Sequence, residues 1–231
     1  MKKLIPALCM LLVAATLLGT STFAWFSMND RVTASGMTVT AASESIFLEI
    51  KGEGDSDFGI TGDANMTGAL KPVAYTTLEN GIEDVNNNWY YQFSKDIDLS
   101  NTNVFNKTFL TAGDTFTDYV AKTTYQVQLH QGGGETAYDL YVSSISIPEN
   151  TGITVIIAGD SGKYVEFKSS ATISAPTAEN VLFDQVTTSP KTITVYVFFD
   201  GNDTNVTTEN IAALTGSVTF TLNAFDANQV G

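Results

Sequence analysis

Cysteine is almost absent from this sequence: of 231 residues only Cys9 carries a thiol, and it stands inside an apolar stretch near the N-terminus. Disulfide staples and thiol chemistry are thereby excluded for the rest of the chain, whose stability must come from burial, a bound ion or assembly. Histidine is equally scarce. The single His130 falls on the polar side of an alternating segment, next to a turn, where a solvated strand-end imidazole is the simplest reading. There is no His-Glu-x-x-His motif to hold zinc and no Gly-x-Ser-x-Gly elbow to serve a triad with His130 as base. A hydrolase is the weakest reading, and the expectation is a protein that is not an enzyme. Basic residues are few as well, 11 against 25 acidic, for a net charge of −14. Nucleic acid is disfavoured as a partner, because phosphate binding relies on basic clusters. Also missing are an internal repeat of the solenoid kind and a Leu-Pro-x-Thr-Gly tail, which argues against covalent wall attachment by a sortase-type route.

What is present begins with Lys2 and Lys3 ahead of an almost wholly apolar run from Leu4 to Gly19, closed by Thr20, Ser21 and Thr22. A positive flank, an apolar segment and a small residue at Ala24 read as an export signal over residues 1–24, removed between Ala24 and Trp25. A retained membrane anchor is the alternative, since extending the run through Phe26 approaches the roughly 20 residues a span needs. Lys2 and Lys3 are the only charges before Trp25, so their loss leaves 9 basic residues of the 11 against all 25 acids, a net charge of −16. Any homopolymer of such a chain must overcome like-charge repulsion by tight strand pairing, salt screening or bridging cations.

Beyond the cut, Phe26, Met28, Val32 and Ala34 share one parity, with Asp30 as the exception, and past Ser35-Gly36 the apolar parity flips to Met37, Val39 and Ala41. Period-two alternation marks strands, and a Gly at the flip predicts a bulge or bend. Residues 25–36 are thus expected to form a separable extended segment with Gly36 as its hinge. The sequence Thr22-Phe23-Ala24-Trp25-Phe26-Ser27, followed by Ala34-Ser35-Gly36-Met37-Thr38-Val39 opening a strand, resembles the N-terminus of the TasA/camelysin family of alternate signal-mediated exported proteins. The resemblance covers about the first 45 residues; the remainder matches only in β-rich character and size. It implies removal of the signal by a SipW-type signal peptidase and membrane contact only before processing. It further implies a jelly-roll-like fold and a secreted fibre subunit of the cell surface or biofilm matrix. That subunit would partner itself by donating Trp25, Phe26, Met28, Val32 and Ala34 to a neighbour. A monomeric adhesin or glycan-binding module on the same fold is the rival reading.

The rest of the chain reads as one all-β domain, residues 37–231, a β-sandwich with short helices and long loops. A loop-rich insertion is expected at about 52–88, since Gly52 to Gly68 is crowded with Gly, Asp and Asn. The long alternating run ending at Leu129, the turn Gly132-Gly133-Gly134 and the return from Tyr138 to Ile147 read as a hairpin. Thr177 to Gln185 is open between helix and strand, and Thr207 to Gly216 fits a short capped helix. Asp200, Asn202 and Asp203 after a strong strand, and Glu53, Asp55 and Asp57 in the long loop, are oxygen donors of the kind calcium takes, although Asx residues favour turns on their own account. No other cofactor is expected. Trp89, Tyr90 and Tyr91 could stack on a sugar, with core packing the cheaper explanation.

Overall fold

Runs rich in Thr, Val and Ile between Gly and Asn turns favour extended backbone. In the computed structural model they form fourteen strands among the described residues, with one 3-10 turn at Phe116–Asp118. The structure describes residues 32–41, 48–68, 71–78, 81–85, 88–91, 108–130, 136–159, 162–203, 205–206 and 218–226, all within one compact unit, Val32–Gly231. The strands are β1 Val32–Ala41, β2 Leu48–Gly52, β3 Thr61–Gly68, β4 Ala74–Tyr75, β5 Trp89–Tyr91, β6 Thr108–Phe109 and β7 Ala121–Leu129. They continue as β8 Ala137–Ser146, β9 Ile153–Gly159, β10 Tyr164–Phe167, β11 Ala171–Thr172, β12 Val181–Val186, β13 Lys191–Phe199 and β14 Thr219–Asp226.

The protein is all-β. A front sheet runs β11-β8-β14-β1-β3, with β12 also on β8, and a back sheet runs β10-β9-β13-β7-β2. Every strand pair described is antiparallel except β1 with β14. The two sheets face each other across one apolar core, in which Val127, Val155, Ile157, Val195 and Val197 of the back sheet meet Val142, Ile145, Phe220 and Leu222 of the front. Alternation decides which side faces in: β7 reads buried at Ala121, Thr123, Tyr125, Val127 and Leu129 and open between them, as period-two geometry requires.

β9 breaks that alternation, being buried from Ile153 through Ala158, because its outer side is covered too. A small third sheet, β4-β5-β6, lays Val73, Leu78, Trp89 and Leu110 over Ile156, Ala158, Tyr196 and Phe198 of the back sheet. Trp89 is its centre. It is fully buried, meets Phe198 edge-on at 5.1 Å and Phe116 at 5.4 Å between ring centroids, and donates its indole N–H to the Ile82 carbonyl at 2.7 Å. Tyr90 is buried beside it and Tyr91 stacks on Tyr119. These rings are packing groups, so the sugar-stacking alternative for Trp89 and Tyr90 does not hold.

Several expectations change. β7 and β8 are not hairpin partners: β7 pairs with β2 and β13, and β8 pairs with β14, β11 and β12, so the two strands lie in different sheets. Alternation names the buried face of a strand and leaves its neighbour open. Within the stretch read as a loop, Thr61–Gly68 is a strand, β3, because Gly52 and Gly62 let two backbones close up where a Cβ on Gly52 would lie 2.1 Å from the Asp63 carbonyl oxygen. The ambiguous Thr177 to Gln185 resolves as a turn, Thr177 N–H to the Asn180 side-chain oxygen, leading into β12. The N-terminal apolar segment and the capped helix expected at Thr207 to Gly216 lie outside the described residues. Replacing Trp89 by Ala should destabilise the protein by about 3–5 kcal/mol, read as a lowered urea midpoint; a loss under about 1 kcal/mol would mean the third layer does not pack as described.

Candidate functional site

The N-terminal strand of the unit is where sequence and structure converge. β1 is held by two ladders along its second half and by one along its first. Thr38 to Ala41 pair in parallel with Thr219 to Leu222 of β14, and Met37 to Thr40 pair antiparallel with Ala64 to Thr61 of β3. Val32 and Ala34 pair only with Gly68 and Met66 of β3 among the described residues. The register shifts between Ala34 and Met37, so Ser35 and Gly36 form the irregularity at the place where the parity flips. β1 nevertheless runs on through Gly36 without leaving the sheet, and the compact unit begins at Val32. Ala24, Trp25, Phe26 and Met28 lie outside the described residues.

β3 depends on β1 for its place in the front sheet. Its other support is the corner it makes with β2, where Ile50 and Gly59 exchange backbone hydrogen bonds at 2.7 and 2.9 Å. Asp55 ties this corner by accepting from the Gly52 and Asp63 N–H groups at 2.8 and 3.2 Å. Asp57 accepts from the neighbouring Ser56 hydroxyl. The acidic loop is thus a set of local turns.

The second acidic group is built the same way. Asp200 is 8% exposed; its Oδ1 accepts from the Asn202 N–H at 2.9 Å and its Oδ2 from Lys168 Nζ at 3.0 Å. That hydrogen bond to Asp200 raises the Lys168 ammonium above its ordinary range against the cost of desolvation. Asp203 Oδ1 accepts from the backbone and side-chain nitrogens of Asn205, and Asn202 Nδ2 donates to the Tyr90 hydroxyl at 3.1 Å. Asp200, Asn202 and Asp203 therefore shape the turn on which the third layer rests, since Val73 N–H and C=O bond Phe199 and Gly201 on either side of Asp200. Among the described residues no group of three or more His, Cys, Asp or Glu is placed to hold a metal ion.

His130 is exposed, with Nδ1 in contact with Glu49, which also accepts from Gln128. One cluster had no signal in the sequence. Glu83 of the third layer accepts from the Tyr196 hydroxyl at 2.8 Å and pairs with Lys122, both on the back sheet. Burial pushes the Glu83 carboxyl up, but the hydrogen bonds from Lys122 and Tyr196 outweigh it and hold the group below its ordinary value of 4.5. Burial, with Glu83 adding to it, raises the Tyr196 hydroxyl.

Comparison with protein-family models, curated proteins and solved structures gave no match. No helix among the described residues is long and apolar enough to cross a membrane.

Because the folded Glu83 carboxyl is more acidic than the unfolded one, its contribution is present above the ordinary glutamate range and is lost as pH falls through the folded value. Glu83→Gln should therefore cost about 0.5–1 kcal/mol at neutral pH, a figure limited by the partial exposure of the pair, and nothing in strong acid. Parallel urea titrations at the two pH values check this; a gap that persists undiminished in acid would contradict it.

Proposed function

We propose that the chain is an exported structural protein, the subunit of a surface or biofilm-matrix fibre that assembles by adding its N-terminal segment to a neighbour. The observation that carries this reading is the division of β1. Its first half hangs from β3 by a single ladder and is set off from the doubly paired second half by the irregularity at Ser35-Gly36. A strand at the start of a compact unit can peel back to such a point without unthreading anything, and a freed segment can complete another sheet through backbone hydrogen bonds. Residues 25–34 in extended form reach about 33 Å, enough to cross to a second copy.

In this reading Ala24 and Trp25 flank the cut made by a SipW-type signal peptidase, and the cut frees the segment from the membrane. Trp25, Phe26, Met28, Val32 and Ala34 then occupy the neighbour, with Gly36 as the hinge. The fold is jelly-roll-like, as the resemblance to the TasA/camelysin family implies, and Asp200, Asn202 and Asp203 act as a structural turn. A second reading, a monomeric adhesin or glycan-binding module, is favoured by the pairing of Val32 and Ala34 within their own chain. The two differ in what the N-terminal segment is for.

Deleting Trp25 to Ala34 should leave a folded protein, because Met37 to Thr40 still hold β3, and should abolish polymerisation seen by electron microscopy. Phe26→Asp with Met28→Asp should do the same. Fibres forming at the unmodified rate in either variant would overturn the donor-strand account, and a wild-type protein that never polymerises would favour the monomeric module.

A further inference from the structure

The outer side of the front sheet carries a hydroxyl lattice that the assembly reading does not use. On β8 and β14, Ile145 and Phe220 point into the core, so Ser144 and Ser146, and Thr219 and Thr221, face outward. Register aligns them in two ranks. Thr172 of β11 stands opposite Ser144, and Ser144 stands opposite Thr221; Ser146 stands opposite Thr219. Neighbours lie about 4.8 Å apart across the strands, and the ranks about 6.8 Å apart along them. β1 and β3 extend both ranks by register, Thr40 and Thr61 beside Thr221, and Thr38 and Asp63 beside Thr219.

The five hydroxyls of Ser144, Ser146, Thr172, Thr219 and Thr221 line one shallow groove of about 370 Å³ with Ser170. Ser170 is engaged with the Ile147 backbone. None of the other five makes a side-chain hydrogen bond among the described residues, so their donors and acceptors face outward. No charged residue lines the groove, and its one aromatic residue, Phe220, is buried with its ring in the core.

We propose that this groove binds a neutral saccharide chain. Each hydroxyl can donate and accept at once, which matches the paired hydroxyls of a sugar ring, and the volume lies within the range of small-molecule sites. Charge decides among polymers: a chain of net charge −14 repels acidic polysaccharides, while an uncharged lining neither attracts nor repels a neutral one. With no ring to stack on, binding rests on hydrogen bonds and is weak, hydroxyl-specific and insensitive to salt. A second copy is the less fitting occupant, since an uncharged polar face offers little apolar area to bury. The groove is separate from the N-terminal half of β1, so this site stands or falls apart from fibre assembly.

Electrophoresis of the purified full chain through native gels containing laminarin, glycogen or hydroxyethyl cellulose tests it. At least one should retard the protein, equally at low and high salt, and polygalacturonate should not. Thr219→Val with Thr221→Val keeps shape and β-branching while removing two hydroxyls, and should weaken retardation roughly tenfold or more; Thr192→Val, an exposed threonine of the back sheet, should change nothing. Ser144→Ala with Thr172→Val gives an independent pair should the first variant unfold. No retardation by any of the three glycans, equal retardation of both double variants, or self-association through this face in a glycan-free gel would overturn the proposal.

Discussion

The double pairing of Thr38 to Thr40, with β14 on one side and β3 on the other, is the contact on which the front sheet depends. Without it β14 would expose an edge and β3 would lose its ladder, leaving rows of backbone groups unpaired. Because β1 opens the unit and β14 is its last described strand, the seam joins residues some 180 positions apart, a contact whose loop closure makes it slow to form. The ladder is backbone to backbone, so it is indifferent to which copy supplies the strand. The proposed exchange would use this indifference, with the irregularity at Ser35-Gly36 marking off the first half of β1 as the segment exchanged.

The back sheet is fixed by different means. Its β9 and β13 strands are sealed on both sides, by the common core and by the Trp89 layer, and the layer is pinned at Val73, Tyr90 and Glu83. An acidic chain uses its few cations here: Lys168 neutralises buried Asp200 and Lys122 meets Glu83. Removing either carboxylate's partner would leave charge in a partly desolvated place, which costs more than an exposed pair contributes. The contrast divides the molecule into a back that is locked and a front whose first strand is half held.

How much of this could be read beforehand follows from what each signal measures. The alternating run that ends at Leu129 is a strand, β7, whose buried face follows its parity, because side-chain parity is local. Strand partners were illegible, and β7 and β8 were misread as a hairpin, because neighbours across a sheet are set by global topology. Thr61–Gly68 has poor strand propensity; pairing with β1 and the glycine-lined corner at Gly52 override it. Asp200, Asn202 and Asp203 were recognisable as a turn, yet the Lys168 partner, 32 residues away, was not. The parity flip at Ser35-Gly36 coincides with an actual register shift. The Thr-x-Thr and Ser-x-Ser spacings on β1, β14 and β8 were visible one by one, but only register shows that they align.

The proposed peeling of Val32–Ala34 from β3 is tested most directly by a lock. Ala34 and Met66 are register partners, and facing strand positions lie within the reach of a disulfide. In a chain carrying Cys9→Ala, Ala34→Cys and Met66→Cys, oxidation should hold the protein monomeric in light scattering, and reduction should restore assembly at the rate of the unlocked chain. Fibres growing equally fast from the oxidised, intrachain-bonded protein would contradict exchange of the N-terminal segment.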